Sequence, residues 1–205
     1  MLSTIKNKLR DKKYGEPIVV VSGLPRSGTS MMMKMLDSAG LEIMTDGERK
    51  ADIDNPKGYY EYERVKDLEK EQDKSYVRAA RGKVLKVISF LLKDLPDDNQ
   101  YRVIFLRRDL DEVLASQDKM IARLGSKDST DAEPLKEQYR NDIIRARLMC
   151  RKKNNFEMLE VHYRDTVNNP ANTARAVSEF LGGKLDQAAM LAAVDPKLYR
   201  NRAKS

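Results

Sequence analysis

The sequence predicts an α/β fold of three layers, a mostly parallel central sheet with helices on both faces. Three observations carry this. Short β-branched runs bounded by turn residues alternate with helical stretches along most of the chain. The connections between them are short, which argues for a parallel sheet covered on both sides. A glycine-bounded loop, Gly23 to Gly28, stands between the first strand and the first helix.

In chain order, residues 1–15 are polar and basic and read as an arm. Pro17 to Ser22 is a buried strand. Thr29 to Ser38 has helical length and ends on Gly40 at the C′ position. Leu41 to Met44 reads as a second, short strand. Residues 45–63 hold the turn signals Asp46-Gly47, Asn55-Pro56 and Lys57-Gly58, and read as a long functional loop. Helical composition resumes over 62–80. Val84 to Ile88 is a strand candidate, followed by a helical piece that stops at Pro96. Tyr101 to Leu106 is a strong strand, and 109–124 is helical through Leu110, Val113, Leu114 and Ile121. A charged helix spans 132–152, with Tyr139, Ile143, Ala146 and Cys150 at helical spacing. Phe156 to Val161 is the last strand. Asn169 caps a helix with Pro170 at its first position, and Gly182 ends it. The expected organisation is one domain over residues 1–205.

Composition narrows the function. The 205 residues are 40% hydrophobic and 35% charged, as expected of a soluble chain. Ile18 to Val21, the apolar run nearest the N-terminus, is shorter than the about 7–15 residues of a signal core or the about 20 of a membrane helix. One cysteine and one histidine exclude an internal disulfide, Cys-rich or His-cluster metal sites, and most His-centred triads. The cytoplasm is the expected compartment. A formal charge of +7 suits an anionic partner, whether nucleic acid, phosphorylated cofactor or acidic polymer, without choosing among them. The basic residues are interleaved with acids and nothing resembles a nucleic-acid fold. A non-enzymatic anion or nucleic-acid-binding module therefore rests on charge alone, and no nucleic-acid partner is expected.

The loop Gly23-Leu-Pro-Arg-Ser-Gly-Thr-Ser30 directs backbone N–H groups and a helix N-terminus at an oxyanion. The nucleoside-triphosphate form of such a loop has Lys where this chain has Thr29, although Arg26 supplies a cation nearby. Phosphate-loop hydrolases end a later strand on a metal-binding Asp. Here the strand VIFL runs into Arg107 and Arg108. Both departures count against a P-loop nucleotide or small-molecule kinase, the alternative enzyme reading. They favour an anion held directly by the planar fork of arginine.

At this point the chain resembles the sulfotransferases that use 3′-phosphoadenosine 5′-phosphosulfate (PAPS). Pro25 to Ser30, PRSGTS, is similar to the family's PKSGT(T/S) loop for the 5′-phosphosulfate, which implies Arg26, Ser27, Gly28, Thr29 and Ser30 as donor-binding residues. Arg108 and Ser116 in RDLDEVLAS have the spacing of the pair that holds the 3′-phosphate. Tyr163-Arg-Asp-Thr, Pro170 and Phe180-Leu-Gly182 follow in the family's order, so the resemblance covers residues 17–182. It implies a P-loop-like fold, PAPS as co-substrate without metal, and sulfuryl transfer to a hydroxyl or amine. Small-molecule, carbohydrate, lipid and peptide acceptors all stay open, as does the oligomeric state.

The chain also departs from the pattern. It has no Trp for the adenine and offers Met31. Arg164 replaces the Glu of the Tyr-Glu-Asp pattern, and the C-terminal basic glycine loop is absent, with Arg200 and Arg202 as possible substitutes. Of the family's Lys-Thr-His segment, Lys86 is kept, while the His position is Ile88. Sulfuryl transfer needs a general base and a cation near the leaving oxygen. Arg26 and Lys86 are the candidate cations. His162 lies in EVHYRD, where its neighbours suggest a structural role. The stronger base candidate is Glu61, which matches the acid of a GY(Y/W/F)E segment in bacterial members, with Tyr59, Tyr60 and Tyr62 as cleft-lining candidates.

Overall fold

The computed structural model describes residues 10, 12–47, 60–123 and 132–195. Its four strands are β1 Ile18–Gly23, β2 Val84–Lys86, β3 Tyr101–Arg107 and β4 Phe156–His162. They form one parallel sheet in the order β2-β1-β3-β4. All six residues of β1 are buried, because the strand is central and covered on both faces.

The period of two along each strand sorts the core into two halves. Ile18 and Val20 join Leu85, Val103 and Phe105 on one face; Val19 and Val21 join Ile104 and Leu106 on the other. The helices are α1 Thr29–Ser38, α2 Leu110–Arg123, α3 Ala132–Lys152, α4 Tyr163–Asn168, α5 Pro170–Phe180 and α6 Gln187–Ala193. Helix α3 covers the first face with Ile143, Ala146 and Cys150. Helices α1, α5 and α6 cover the second with Met32, Met33, Leu36, Val177 and Met190. Burial pushes the Cys150 thiol up to about 12, so it packs as a small apolar group. Asn169 caps α5 by accepting from the Asn172 N–H, with Pro170 as the first helical residue.

Four sequence expectations need correction. Leu41 to Met44 is no strand; it makes a single bridge, Ile43 to Val84, with Met44 N donating to Val84 O at 2.8 Å. The turn at Gly40 and the Thr45–Gly47 turn leave no length for more pairing. Residues 62–80 form two 3-10 segments, Glu63–Asp67 and Ser75–Ala80, in place of one helix. Their buried residues, Val65 with Leu68 and Val77 with Ala80, are spaced by three, which a three-residue turn aligns on one face. Asp73 accepts from Ser75 N at 2.9 Å and breaks the stretch between them. The piece before Pro96 is also a 3-10 segment, Ser89–Asp94, and β2 stops at Lys86, short of Ile88.

Strand β1 connects to β2 on one side, whereas β3 lies on its other side and leads outward to β4. The C-terminal ends of β1 and β3 therefore flank a switch point, where connections leave in opposite directions and ligands of such sheets bind. No described helix is long and apolar enough to cross a membrane.

Candidate active site

The loop after β1 is built by glycines that no other residue replaces without strain. Gly28 has φ 101, and a Cβ there would lie 2.4 Å from the Tyr163 ring. Gly23, at the strand end, would bring a Cβ within 2.5 Å of Ser27 Oγ and 2.7 Å of Leu106 O. Between them the loop folds tightly, with Ser27 N donating to Leu24 O at 3.2 Å. Ser27 is buried, and its hydroxyl has no hydrogen-bond partner among the described residues. A buried hydroxyl without a partner costs about 1–3 kcal/mol, a cost relieved by an oxyanion in the loop. Thr29 and Ser30 open α1, so the helix N-terminus faces the same space.

Arg26 connects this loop to α2. Its backbone is left-handed, φ 64, and its Nε donates to Ser116 Oγ at 3.1 Å. Arg108, just past β3, donates from its Nη1 to the Arg26 carbonyl at 3.1 Å and from Nε to Glu112 Oε2 at 3.0 Å. Its guanidinium stacks 4.4 Å from the centre of the Tyr163 ring. The Arg108 and Glu112 side chains are only 7% and 4% exposed, so this is a buried pair, one helical turn apart. Burial raises the Tyr163 phenol above its usual pKa, against the opposing pull of the Arg108 charge. The two candidate anion subsites are thus contiguous: Arg26 and Ser116, expected at opposite ends of the donor, are hydrogen-bonded to each other.

On the other flank, Lys86 at the end of β2 donates to Ser30 Oγ at 3.3 Å and to Glu61 Oε1 at 3.2 Å. The second oxygen of Glu61 pairs with Lys66 at 3.1 Å. Burial disfavours the Lys66 charge, but hydrogen bonds to Glu63 and Glu61 outweigh it and raise its pKa. The segment bearing Glu61 is tied back by Thr45 Oγ1, which donates to Glu61 O at 2.7 Å. Tyr60 carries the other left-handed non-glycine backbone among the described residues, φ 53. Such residues cost about 1–3 kcal/mol each and persist where the surroundings over-determine them. Both lie at this site.

The structure therefore brings Arg26, Ser27, Gly28, Thr29, Ser30, Arg108 and Ser116 into one region and sets Lys86 and Glu61 beside it. Arg200, Arg202 and Tyr59 lie outside the described residues. His162 ends β4 with its side chain exposed, and its carbonyl accepts from Thr166 Oγ1 at 3.0 Å inside α4. Ile88 packs against the core. The sequence reading missed Glu112, although an acid four residues after Arg108 at a helix start is a recognisable pair. It also missed Lys66 and Asp37, whose contacts arise only from folding.

A glycine loop at a switch point, two arginines meeting across it and a carboxylate beside a strand-end lysine stand on an α/β fold of the P-loop-like kind. The chain belongs to the sulfotransferase domain family, whose model matches residues 16–197, and so to the transferases. Its fold is similar to the sulfotransferase domain from the curacin biosynthetic pathway, at 13% identity and TM-score 0.53, covering 88% of this chain and 78% of that one. It is also similar to a sulfotransferase from Mycobacterium avium, at 15% identity and TM-score 0.51, covering 92% of this chain and 70% of that one. No curated protein matches the chain closely enough to count as a relative.

Proposed function

We propose that the protein transfers a sulfuryl group from PAPS to a hydroxyl or amine of a small-molecule, carbohydrate or lipid acceptor. The observation that carries this reading is the placement of Lys86 between Ser30, at the mouth of the anion loop, and the Glu61 carboxylate. A cation and a base then flank the point where the sulfuryl group would sit.

In this reading the 5′-phosphosulfate enters the loop, where the unpartnered Ser27 hydroxyl and the α1 N-terminus receive it. Arg108 and Ser116 receive the 3′-phosphate. The acceptor oxygen or nitrogen attacks sulfur, the bond from sulfur to the bridging oxygen breaks, and adenosine 3′,5′-bisphosphate leaves. Negative charge grows on that bridging oxygen and is met by Lys86 and Arg26. The acceptor proton passes to Glu61. No step needs a metal.

A ligand panel by thermal shift tests the proposal. Adenosine 3′,5′-bisphosphate without magnesium should stabilise the protein by about 2.7 kcal/mol at ~100 times its Kd, a Tm rise of roughly 5–10 °C. ATP with magnesium should do little. The opposite ranking would make the loop a nucleoside-triphosphate site and the protein a kinase.

A further inference from the structure

Tyr60 directly precedes Glu61 and holds a backbone conformation that a bulky residue adopts only under restraint. The restraint comes from α1. The Tyr60 ring packs into the core half that contains α1, and its hydroxyl donates to Asp37 Oδ2 at 3.1 Å. Lys34, one turn earlier on the helix, donates to the same oxygen at 3.1 Å. Burial, and then the charge of Asp37, raise the Tyr60 pKa above its usual 10, so the phenol remains a donor at neutral pH. Hydrogen bonding to Asp37 likewise raises Lys34.

Helix α1 begins at the anion loop, and its second residue, Ser30, contacts Lys86. The Asp37–Tyr60 contact therefore joins the segment carrying Glu61 to the same rigid element that presents the loop. On the opposite side Thr45 and Asp46, from a turn, hold the Glu61 carbonyl. A side chain fixed through a helix keeps its place better than one fixed through a turn.

We propose that Asp37 and Tyr60 are positioning residues that latch the Glu61 segment to α1 and keep its carboxylate at Lys86. This rests on Glu61 being the base, as read above. The latch acts through Glu61, with the Tyr60 hydroxyl on Asp37 and its ring packed against the core half that contains α1.

Acetic anhydride labelling of the full chain, read by mass spectrometry with Lys153 as internal reference, reports whether Glu61 still covers Lys86. Tyr60→Phe and Asp37→Ala should each raise Lys86 labelling severalfold, to the level of Glu61→Gln, and add nothing when combined with it. Asp37→Asn keeps an oxygen that accepts from the phenol and should stay near wild type. With labelled PAPS, and water or a screened alcohol as acceptor, Tyr60→Phe should lower kcat on the order of 10–100-fold with donor KM nearly unchanged. Wild-type labelling of Lys86 in Tyr60→Phe, or equal changes in kcat and donor KM, would overturn the latch. Normal turnover in Glu61→Gln, with Lys86 still uncovered in Tyr60→Phe, would remove the base assignment and leave the latch standing.

Discussion

Arg26 and Ser116, 90 residues apart in sequence, are joined by a 3.1 Å hydrogen bond from Nε to Oγ. One comes from the loop after β1 and the other from the second turn of α2. Since β1 and β3 are neighbours, the loop and helix that follow them converge over the sheet edge. The arginine expected at one end of the donor thereby reaches the serine expected at the other. The same joint accepts Arg108 on the Arg26 carbonyl. Two arginines and a serine thus form a single wall, with Glu112 paired to Arg108 behind it.

Arg108 illustrates why a plain deletion would mislead. Removing one member of a buried ion pair costs about 3–5 kcal/mol, so Arg108→Ala should unfold easily. The paired change Arg108→Met with Glu112→Leu should recover most of that stability in urea denaturation. On this folded variant, calorimetry should show a loss for adenosine 3′,5′-bisphosphate of about 1.5–3 kcal/mol, roughly 10–150-fold. AMP, which has no 3′-phosphate, should bind nearly as before; equal losses for both ligands would place Arg108 elsewhere.

Glu61→Gln preserves size and hydrogen bonding but cannot take a proton. Turnover of labelled PAPS should fall about 10²–10⁴-fold while nucleotide affinity stays close to wild type. His162→Asn should show no comparable loss at equal folding. Normal turnover in the Gln variant would move the base to another carboxylate or to His162.

Gly28→Ala meets two obstacles at once, a left-handed backbone and the Tyr163 ring. The variant should lose about 2 kcal/mol and roughly 4–8 °C in Tm. Its bisphosphate affinity should fall as well, because the loop must open to relieve the clash. A variant with unchanged Tm would mean that the ring moves freely.

Glu160 supplies a pH signature on β4. Burial works against its charge, but hydrogen bonds from Arg147 and then Arg107 prevail, and its pKa falls below the usual 4.5. A group with a depressed folded pKa stabilises the fold above its unfolded value and loses that contribution as pH falls through the folded value. Wild type should therefore be more stable than Glu160→Gln at pH 7, and the gap in Tm should close below pH ~4.5. A gap independent of pH would assign the loss to packing.

Much of the fold was legible in the sequence because strand and helix periods differ. Val19 to Val21, Val103 to Leu106 and the 132–152 helix needed no tertiary information, and the glycine loop announced its own position. The 62–80 stretch misled because charged helix formers fill it, while its few apolar residues recur every three positions, a weak pattern that packing converts to 3-10 turns. At the site, the loop residues and the Arg108–Ser116 spacing were visible in the chain. The contacts of Tyr60 with Asp37 and of Arg26 with Ser116 were not, since each joins segments that only folding brings together, and that of Glu61 with Lys66 was hidden because it depends on the local 3-10 turn.

Tyr163 has a consequence of its own. One face of its ring takes the place of a Gly28 side chain, and the Arg108 guanidinium lies over the ring. The ring thus sits against both the glycine of the loop and the arginine that holds the loop's Arg26 carbonyl, and its bulk limits how closely Gly28 and Arg108 approach each other. If the two ends of one nucleotide are held there, as proposed above, moving its second phosphate from the 3′ to the 2′ oxygen keeps the charge and changes the distance, and such a ligand should bind more weakly.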